Sequence, residues 1–243
     1  MRFGIKSILV GILVAALVAA LLTELPRRQR RNATEARIVT SLSMIWKVLS
    51  IYETSAGSAP PSAVLDAGGT PMYSWRYRLM PLIEDLGTTI DFDKAWDGQE
   101  NANSKSLRVT TFCYDDELQP GSLHTNVFAV VGPDTLFDST HRQKLSDVDD
   151  DLVIAIEIGD SKTHWMQPGD FDAGSLAVAK DTIGNTVGNL IPGCVHVLFA
   201  DGEVWSLRSE TPMEAFKPFL TNDGARSYVR EEELSKYMLK RWE

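Results

Sequence analysis

The sequence predicts an α+β fold in which a long N-terminal helix packs on an antiparallel β-sheet. An apolar run at residues 8–22 is followed by four arginines and then by a helical stripe of large side chains. Segments rich in β-forming residues come later and mostly follow one another, the order of an α+β chain rather than of alternating α/β units. Near the C-terminal end, two strand-like runs flank Asp201-Gly202, a dipeptide that supplies the positive φ of a tight hairpin turn.

Residues 8–22 are unbroken apolar sequence, preceded by Arg2 and Lys6. Extended to residues 5–25, the segment approaches the ~20 residues that cross hydrocarbon at ~1.5 Å rise per residue, with Lys6 placed to snorkel. It is apolar on every face at the extreme N-terminus, unlike a half-buried core helix. A cleaved secretory signal needs small residues at the cut, and Leu21-Leu22-Thr23-Glu24-Leu25-Pro26 supplies none. The expectation is an uncleaved, single-pass signal anchor, with the membrane as first partner. Arg27, Arg28, Arg30 and Arg31 form a basic collar suited to anionic headgroups. Taken alone, those charges after the span would hold the body in the cytoplasm.

Ile38, Leu42, Ile45, Leu49 and Tyr52 recur at helical spacing, widened by Trp46, while Ser41, Ser43, Lys47 and Ser50 fall largely elsewhere. This predicts a half-buried helix to about residue 53. Pro26 between the two parts either kinks one continuous helix or separates two, the second capped by Asn32 with Glu35 three residues on. Residues 54–71, rich in Ser, Gly, Ala and Pro, read as a loop. Residues 73–86 read as a helix stopped by Gly87. Residues 109–114 and 126–131 read as short strands, and 152–158 as a buried strand. Residues 159–193 are loop-rich. The hairpin pairs residues 195–199 with 203–207. Thr211-Pro212-Met213-Glu214 matches a capping box with Pro at the first helical position, predicting a helix to about Leu220 that ends before Gly224. An amphipathic helix over residues 228–241 closes the chain. The expected division is an anchor and collar at 1–31, an α+β domain at 32–224 and a C-terminal helix at 225–243.

At 243 residues, with 44% hydrophobic and 23% charged content, the chain has ordinary globular composition. Residues 1–53 carry eight Lys or Arg against three Glu, a net of +5, which leaves −14 for residues 54–243 out of the total of −9. An acidic body argues against nucleic acid as a partner, which wants a basic face. Cys113 and Cys194 lack Cys-x-x-Cys spacing and have no His at metal-ligand spacing. They read as two separate buried thiols, with one disulfide as the alternative in an exported body. Asn32-Ala33-Thr34 matches a glycosylation triplet that is common by chance.

The stretch Ile191-Pro192-Gly193-Cys194-Val195-His196-Val197-Leu198-Phe199-Ala200-Asp201-Gly202-Glu203-Val204 resembles the C-terminal signature of the DUF1559 family, "HPGGANVLFADGSVRF". Ser74-Trp75-Arg76-Tyr77-Arg78-Leu79-Met80-Pro81-Leu82-Ile83-Glu84 is similar to its "SWRVLLLPYLEQ". Ala95-Trp96-Asp97, Phe112-Cys113 and Thr125-Asn126 through Gly132-Pro133 match further family segments in order, as do Leu145-Ser146-Asp147 and Trp165 through Asp172. The resemblance covers roughly residues 36–224. It implies a pilin-like layout behind a prepilin-like signal, with the body outside the cytoplasmic membrane and other envelope or pilin-like proteins as partners. The signal is degenerate. Gly4 is followed by Ile5-Lys6-Ser7-Ile8-Leu9, without the family's Phe or the Glu that registers pilin subunits. Pro26 still falls 22 residues after Gly4, where pilin helices often kink. Ile191 stands where the family has His, Cys194 where it has Gly, and Asp149-Asp150-Asp151 where it has a Gly/Ser/Thr-rich turn.

Asp147, Asp149, Asp150 and Asp151, with Asp160, could offer carboxylates to Ca²⁺. Their spacing lacks the calcium-loop pattern and reads more readily as a solvated acidic turn. His124, His141, His164 and His196 are scattered, with His196 inside a strand. No serine sits in Gly-x-Ser-x-Gly, and Gly184-Asn185-Thr186-Val187-Gly188 lacks the Lys of a phosphate loop. Trp75, Trp96, Trp165 and Trp205 could line a cleft, although large aromatics mostly serve the core. No catalytic, cofactor-binding or metal-ligating residue is assigned, and no enzyme activity is expected. The expectation is a membrane-anchored envelope protein with a structural or protein-interaction role. The alternatives are an extracytoplasmic solute-binding module and a Ca²⁺-stabilised pseudopilin-like component of a secretion system.

Overall fold

A computed structural model of the chain describes residues 5–83, 90–114, 121–177 and 181–242. The chain divides into two compact units, Met1–Arg37 and Ile38–Glu243. Helix α1, Ile5–Ala56, begins in the first and ends in the second, with Pro26 inside it. One helix therefore forms, and Asn32 lies within it rather than capping a second. In the first unit the side chains from Leu22 to Ala33 are exposed, and Arg27 pairs with Glu24 at 3.3 Å. Among the described residues no helix is long and apolar enough to cross a membrane. The predicted span at residues 8–22 lies almost wholly outside the residues whose side chains are described.

The second unit continues with β1 (Ala63–Leu65), β2 (Pro71–Ser74), α2 (Trp75–Ile83), α3 (Ala102–Lys105), β3 (Val127–Val131) and β4 (Val153–Glu157). It ends with β5 (Phe171–Asp172), α4 (Ala173–Ala177), α5 (Ile183–Val187), β6 (Cys194–Phe199), β7 (Val204–Arg208), α6 (Met213–Phe216), α7 (Asn222–Ser227), α8 (Arg230–Leu234) and β8 (Met238–Trp242). The main sheet has the order β5-β3-β4-β6-β7-β8. Every pairing in it is antiparallel except that of the two-residue β5 with β3. The fold is thus α+β, with a long N-terminal helix and a mixed, mainly antiparallel sheet.

Strand alternation sorts the core into two clusters. Val127 and Ala129 of β3 join one, and Phe128 and Val130 the other. In β4 the alternation breaks: a register shift between Val153 and Ala155 puts Ile154 and Ala155 in the first cluster and Val153 and Ile156 in the second. The first cluster takes in the helical stripe read from the sequence. Ile38, Leu42, Ile45 and Leu49 are all 1% exposed or less, and Tyr52 is half-buried. At ~1.5–3 kcal/mol for each fully buried aliphatic side chain, these four contribute roughly 6–12 kcal/mol of transfer free energy. Ser41, expected off that face, is buried with it. The second cluster is closed by Ile183 and Val187 of α5, Met213 and Phe216 of α6, Phe219, and Leu234 of α8.

The predicted hairpin forms as β6–β7, with Val195 opposite Leu207 and Val197 opposite Trp205. Gly202 takes φ +95°, and a Cβ there would lie 2.9 Å from the Trp46 ring. Trp46 donates its indole N–H to the Ala200 carbonyl at 2.7 Å, so the turn is also a seat for α1.

Several expectations are corrected. Residues 228–241 form no helix of that length: α8 stops at Leu234, and β8 pairs with β7. The open edge of β7 offers backbone partners that outweigh the helical propensity of a Glu-rich segment, and Lys240 and Arg241 then cover the new edge with charge. Residues 109–114 form a turn, in which Val109 accepts from the Phe112 and Cys113 amides at 3.0 and 2.9 Å. Val109, Phe112, Cys113 and Tyr114 are buried as a plug rather than along a ladder. Residues 54–71 hold a hairpin, β1–β2, whose turn is built by Asp66 Oδ1 accepting from the Gly68 and Thr70 amides, both at 2.8 Å. The predicted helix at 73–86 starts at Trp75, because Tyr73 and Ser74 belong to β2; residues 84–89 lie outside the described residues. The capping box at Thr211 does not form. Pro212 is the N-cap, and Thr211 donates its hydroxyl to Arg208 O at 2.6 Å. Gly224 sits inside α7 rather than beyond a helix end, and a Cβ there would lie 2.1 Å from Pro218 O.

Candidate functional site

Two buried strands each carry one charged residue within apolar sequence. Glu157 ends the run Val153-Ile154-Ala155-Ile156, and His196 lies between Val195 and Val197. Pairing of β4 with β6 brings them together, and both are fully buried. His196 Nδ1 pairs with Glu157 Oε2. Glu157 also accepts from the Leu190 amide at 2.9 Å and from the His196 amide at 3.3 Å. On the other side of the ring, His196 Nε2 lies 3.8 Å from Cys194 Sγ. Burial alone disfavours a charged imidazole, but hydrogen bonds and charge from Cys194 and Glu157 outweigh it and push the pKa up to about 10. The site therefore holds a buried histidine–glutamate pair with the Cys194 sulfur on its far side.

The pair reaches toward α1 through Tyr114. Burial pushes the Tyr114 phenol well above its ordinary value, Ser41 of α1 works against that, and the Glu157 charge adds to it. Glu157, His196, Cys194 and Tyr114 are all buried, and the Tyr114 hydroxyl has no hydrogen-bond partner among the described residues. A thiol, an imidazole and a carboxylate in sequence are the parts of a thiol nucleophile. Here Cys194 is 2% exposed and the other two 0%, so solvent does not reach the group.

Two further buried arginines organise the domain. Arg76 spends five N–H groups, on the carbonyls of Trp165, Val127, Gln167 and Gly169 at 3.0–3.1 Å and on Asp170 at 2.7 Å. Asp170 also accepts from the Trp75 indole at 2.9 Å and the Ala129 amide at 3.0 Å. Burial pushes the Asp170 carboxyl up, and Arg76 pulls against it. Arg230 lies against Asp151 at 3.0 Å, Asp201 and Glu203 at 3.1 Å, with its guanidinium 4.5 Å over the Phe199 ring. It ties the start of β4 to the hairpin turn.

The sequence-derived candidates separate. Asp151 is engaged by Arg230, Asp149 Oδ1 accepts the Asp151 amide at 3.1 Å, and Asp160 pairs with Lys162 at 2.6 Å. Among the described residues no group of three or more His, Cys, Asp or Glu is arranged to hold a metal ion. His141 is exposed beside Asp138. His164 stacks on Trp96 at 5.0 Å, and burial pushes its pKa down to about 4. Its Nδ1 accepts from the Met166 amide at 3.2 Å, as a neutral ring must. His124 meets His164 through the backbone. Trp75 and Trp165 lie in one core cluster and Trp205 in the other, so the tryptophans do not share a cleft. Gly184 packs against Ser209, where a Cβ would lie 2.5 Å from that side chain. Cys113 and Cys194 are both buried and are not joined in a disulfide. Glu157, Arg76, Asp170 and Arg230 were not singled out by sequence. The available signal was a charge set in an apolar strand, which demands a partner. No protein-family model, curated protein or solved structure matches the chain, so the family resemblance rests on the quoted motifs alone.

Proposed function

We propose that this chain is a membrane-anchored, pilin-like envelope protein of the DUF1559 kind, with a structural or protein-interaction role. One observation carries the reading. A single helix, Ile5–Ala56, contains both the apolar run of residues 8–22 and the stripe Ile38, Leu42, Ile45 and Leu49 that is built into the core of the second unit. In this reading one helix supplies both the anchor and a packed element of the body. The Trp46 bond to the Ala200 carbonyl, which ties that helix to the hairpin turn, supports a load-transmitting use of it. The absence of the prepilin Phe and Glu favours an anchored monomeric subunit over a filament component. In this reading the N-terminus lies in the cytoplasm and the body outside.

Protease treatment of spheroplasts, with mass spectrometry of the mature N-terminus, tests the proposal. Digestion of the body in intact spheroplasts and recovery in the membrane fraction are expected. Protection of the body would overturn the orientation, and extraction by carbonate would overturn the anchor. A new N-terminus at Ile5 would show that a prepilin peptidase accepts this site.

A further inference from the structure

A cavity of about 330 Å³ opens within the second unit, between the end of α1, the β1–β2 hairpin, α2 and the loop at residues 136–143. Tyr52, Tyr73, Pro61 and Leu136 give it apolar and aromatic walls, and Arg78, Arg142 and Asp138 supply its charges. The volume falls at the small end of ligand sites, which run from ~300 to ~1,000 Å³. We infer that this cavity binds a small monoanion: a carboxylate carried on a compact aromatic or apolar body.

The cationic side of the cavity is preorganised. Arg78 is exposed and flanked by neutral groups: its guanidinium lies 5.5 Å over the Phe92 ring and Nη1 is 3.5 Å from the Tyr73 hydroxyl. Neither Arg78 nor Arg142 forms an ion pair with a carboxylate among the described residues, whereas the buried Arg76 and Arg230 both do. Among the described residues Asp138 forms no ion pair with either of them, and its charge offsets one of the two. Its Oδ1 accepts from the Thr140 amide and hydroxyl at 2.7 and 2.6 Å, and its Oδ2 from the Asp134 amide at 3.1 Å. Those donors leave it saturated, and the lining keeps two guanidiniums against one occupied carboxylate. Guanidinium matches carboxylate in a planar, two-bond geometry. The surrounding body is strongly acidic, with −14 over residues 54–243, so a polyanion is repelled while one local charge is not. The tyrosine and proline walls then select a body that can leave water.

Isothermal titration and intrinsic-fluorescence melting of the full chain in uncharged detergent test this, with phenylacetate as the probe. Phenylacetate is expected to bind saturably and raise the melting temperature. Phenylacetamide lacks the charge, acetate lacks the body, and inorganic phosphate lacks the body and carries more charge; each is expected to bind at least about tenfold more weakly. Arg142→Gln, at an exposed position, and Arg78→Gln are each expected to weaken phenylacetate by about tenfold or more, while Arg208→Gln on the exposed end of β7 leaves it unchanged. No saturable binding at about 10 mM phenylacetate overturns the inference, as does equal binding to Arg142→Gln or equal binding of phenylacetamide. The outcome is independent of the membrane reading, which the spheroplast assay decides.

Discussion

Replacing His196 with leucine removes the imidazole that pairs with a carboxylate the fold has sealed. Glu157 and His196 are both 0% exposed, and among the described residues the carboxylate left behind keeps the Leu190 and His196 amides as donors. Breaking a buried pair from one side costs about 3–5 kcal/mol. For a domain of this size, at ~2–4 °C per kcal/mol, the melting temperature should fall by roughly 6–20 °C. Thermal unfolding of the full chain by circular dichroism measures it. Glu157→Gln in the same chain removes the stranded charge while keeping an acceptor for Leu190, and should recover most of the loss. The pH dependence gives a second reading. His196 titrates near 6.5 when unfolded and about 10 when folded, so the folded state holds the extra proton between those values. Its contribution is fully present below pH 6.5 and is lost as pH rises through 10. At ~1.4 kcal/mol per pH unit the total is about 5 kcal/mol, the same size as the mutational cost. The wild-type melting temperature should therefore fall more steeply between pH 7 and 10 than that of His196→Leu. A single-mutant loss under about 1 kcal/mol, or parallel pH profiles, would refute the buried ion pair.

Arg230→Met leaves Asp151 and Asp201 without their cation and Glu203 with Arg241 alone, and chemical denaturation should show a loss of about 3–5 kcal/mol. Gly224→Ala places a Cβ 2.1 Å from Pro218 O, so α7 must shift; about 1–3 kcal/mol of destabilisation is expected from urea melts. Gly202→Ala strains a residue at φ +95° and pushes into the Trp46 ring, so loss of stability should be accompanied by a shift in tryptophan emission, which Trp46→Phe abolishes. Trp46→Phe alone removes the 2.7 Å bond to Ala200 O and should cost about 1 kcal/mol in the same melts.

Much of the architecture was legible where a signal is local. The stripe Ile38, Leu42, Ile45 and Leu49 has helical period, and all four residues are buried. Asp201-Gly202 carries its own turn chemistry, and the hairpin forms around it. Strands β3 and β4 fall within one residue of the apolar runs that predicted them. Local rules misled where tertiary contacts compete with them. Thr211 has the residues of a capping box, yet its hydroxyl turns to Arg208 O. Gly224 reads as a stop signal and is a packing glycine inside a helix.

The polar site was the least legible part, because its members are far apart in the chain. His196 and Glu157 are separated by 39 residues, and Arg76 and Asp170 by 94. A buried charge announces that a partner exists, but only strand register names it. The same holds for the C-terminal segment: residues 238–242 have no fixed preference of their own, and the open edge of β7 made them a strand. By itself, then, the sequence determined the helix stripe, the hairpin and the strands at 127–131 and 153–157, since each follows from the periodicity or turn chemistry of neighbouring residues. The tertiary structure alone decided the sheet order, the edge strand and the pairing of the buried charges. Those depend on which distant groups meet out of water, where an unpaired charge or backbone group costs more than any local propensity returns.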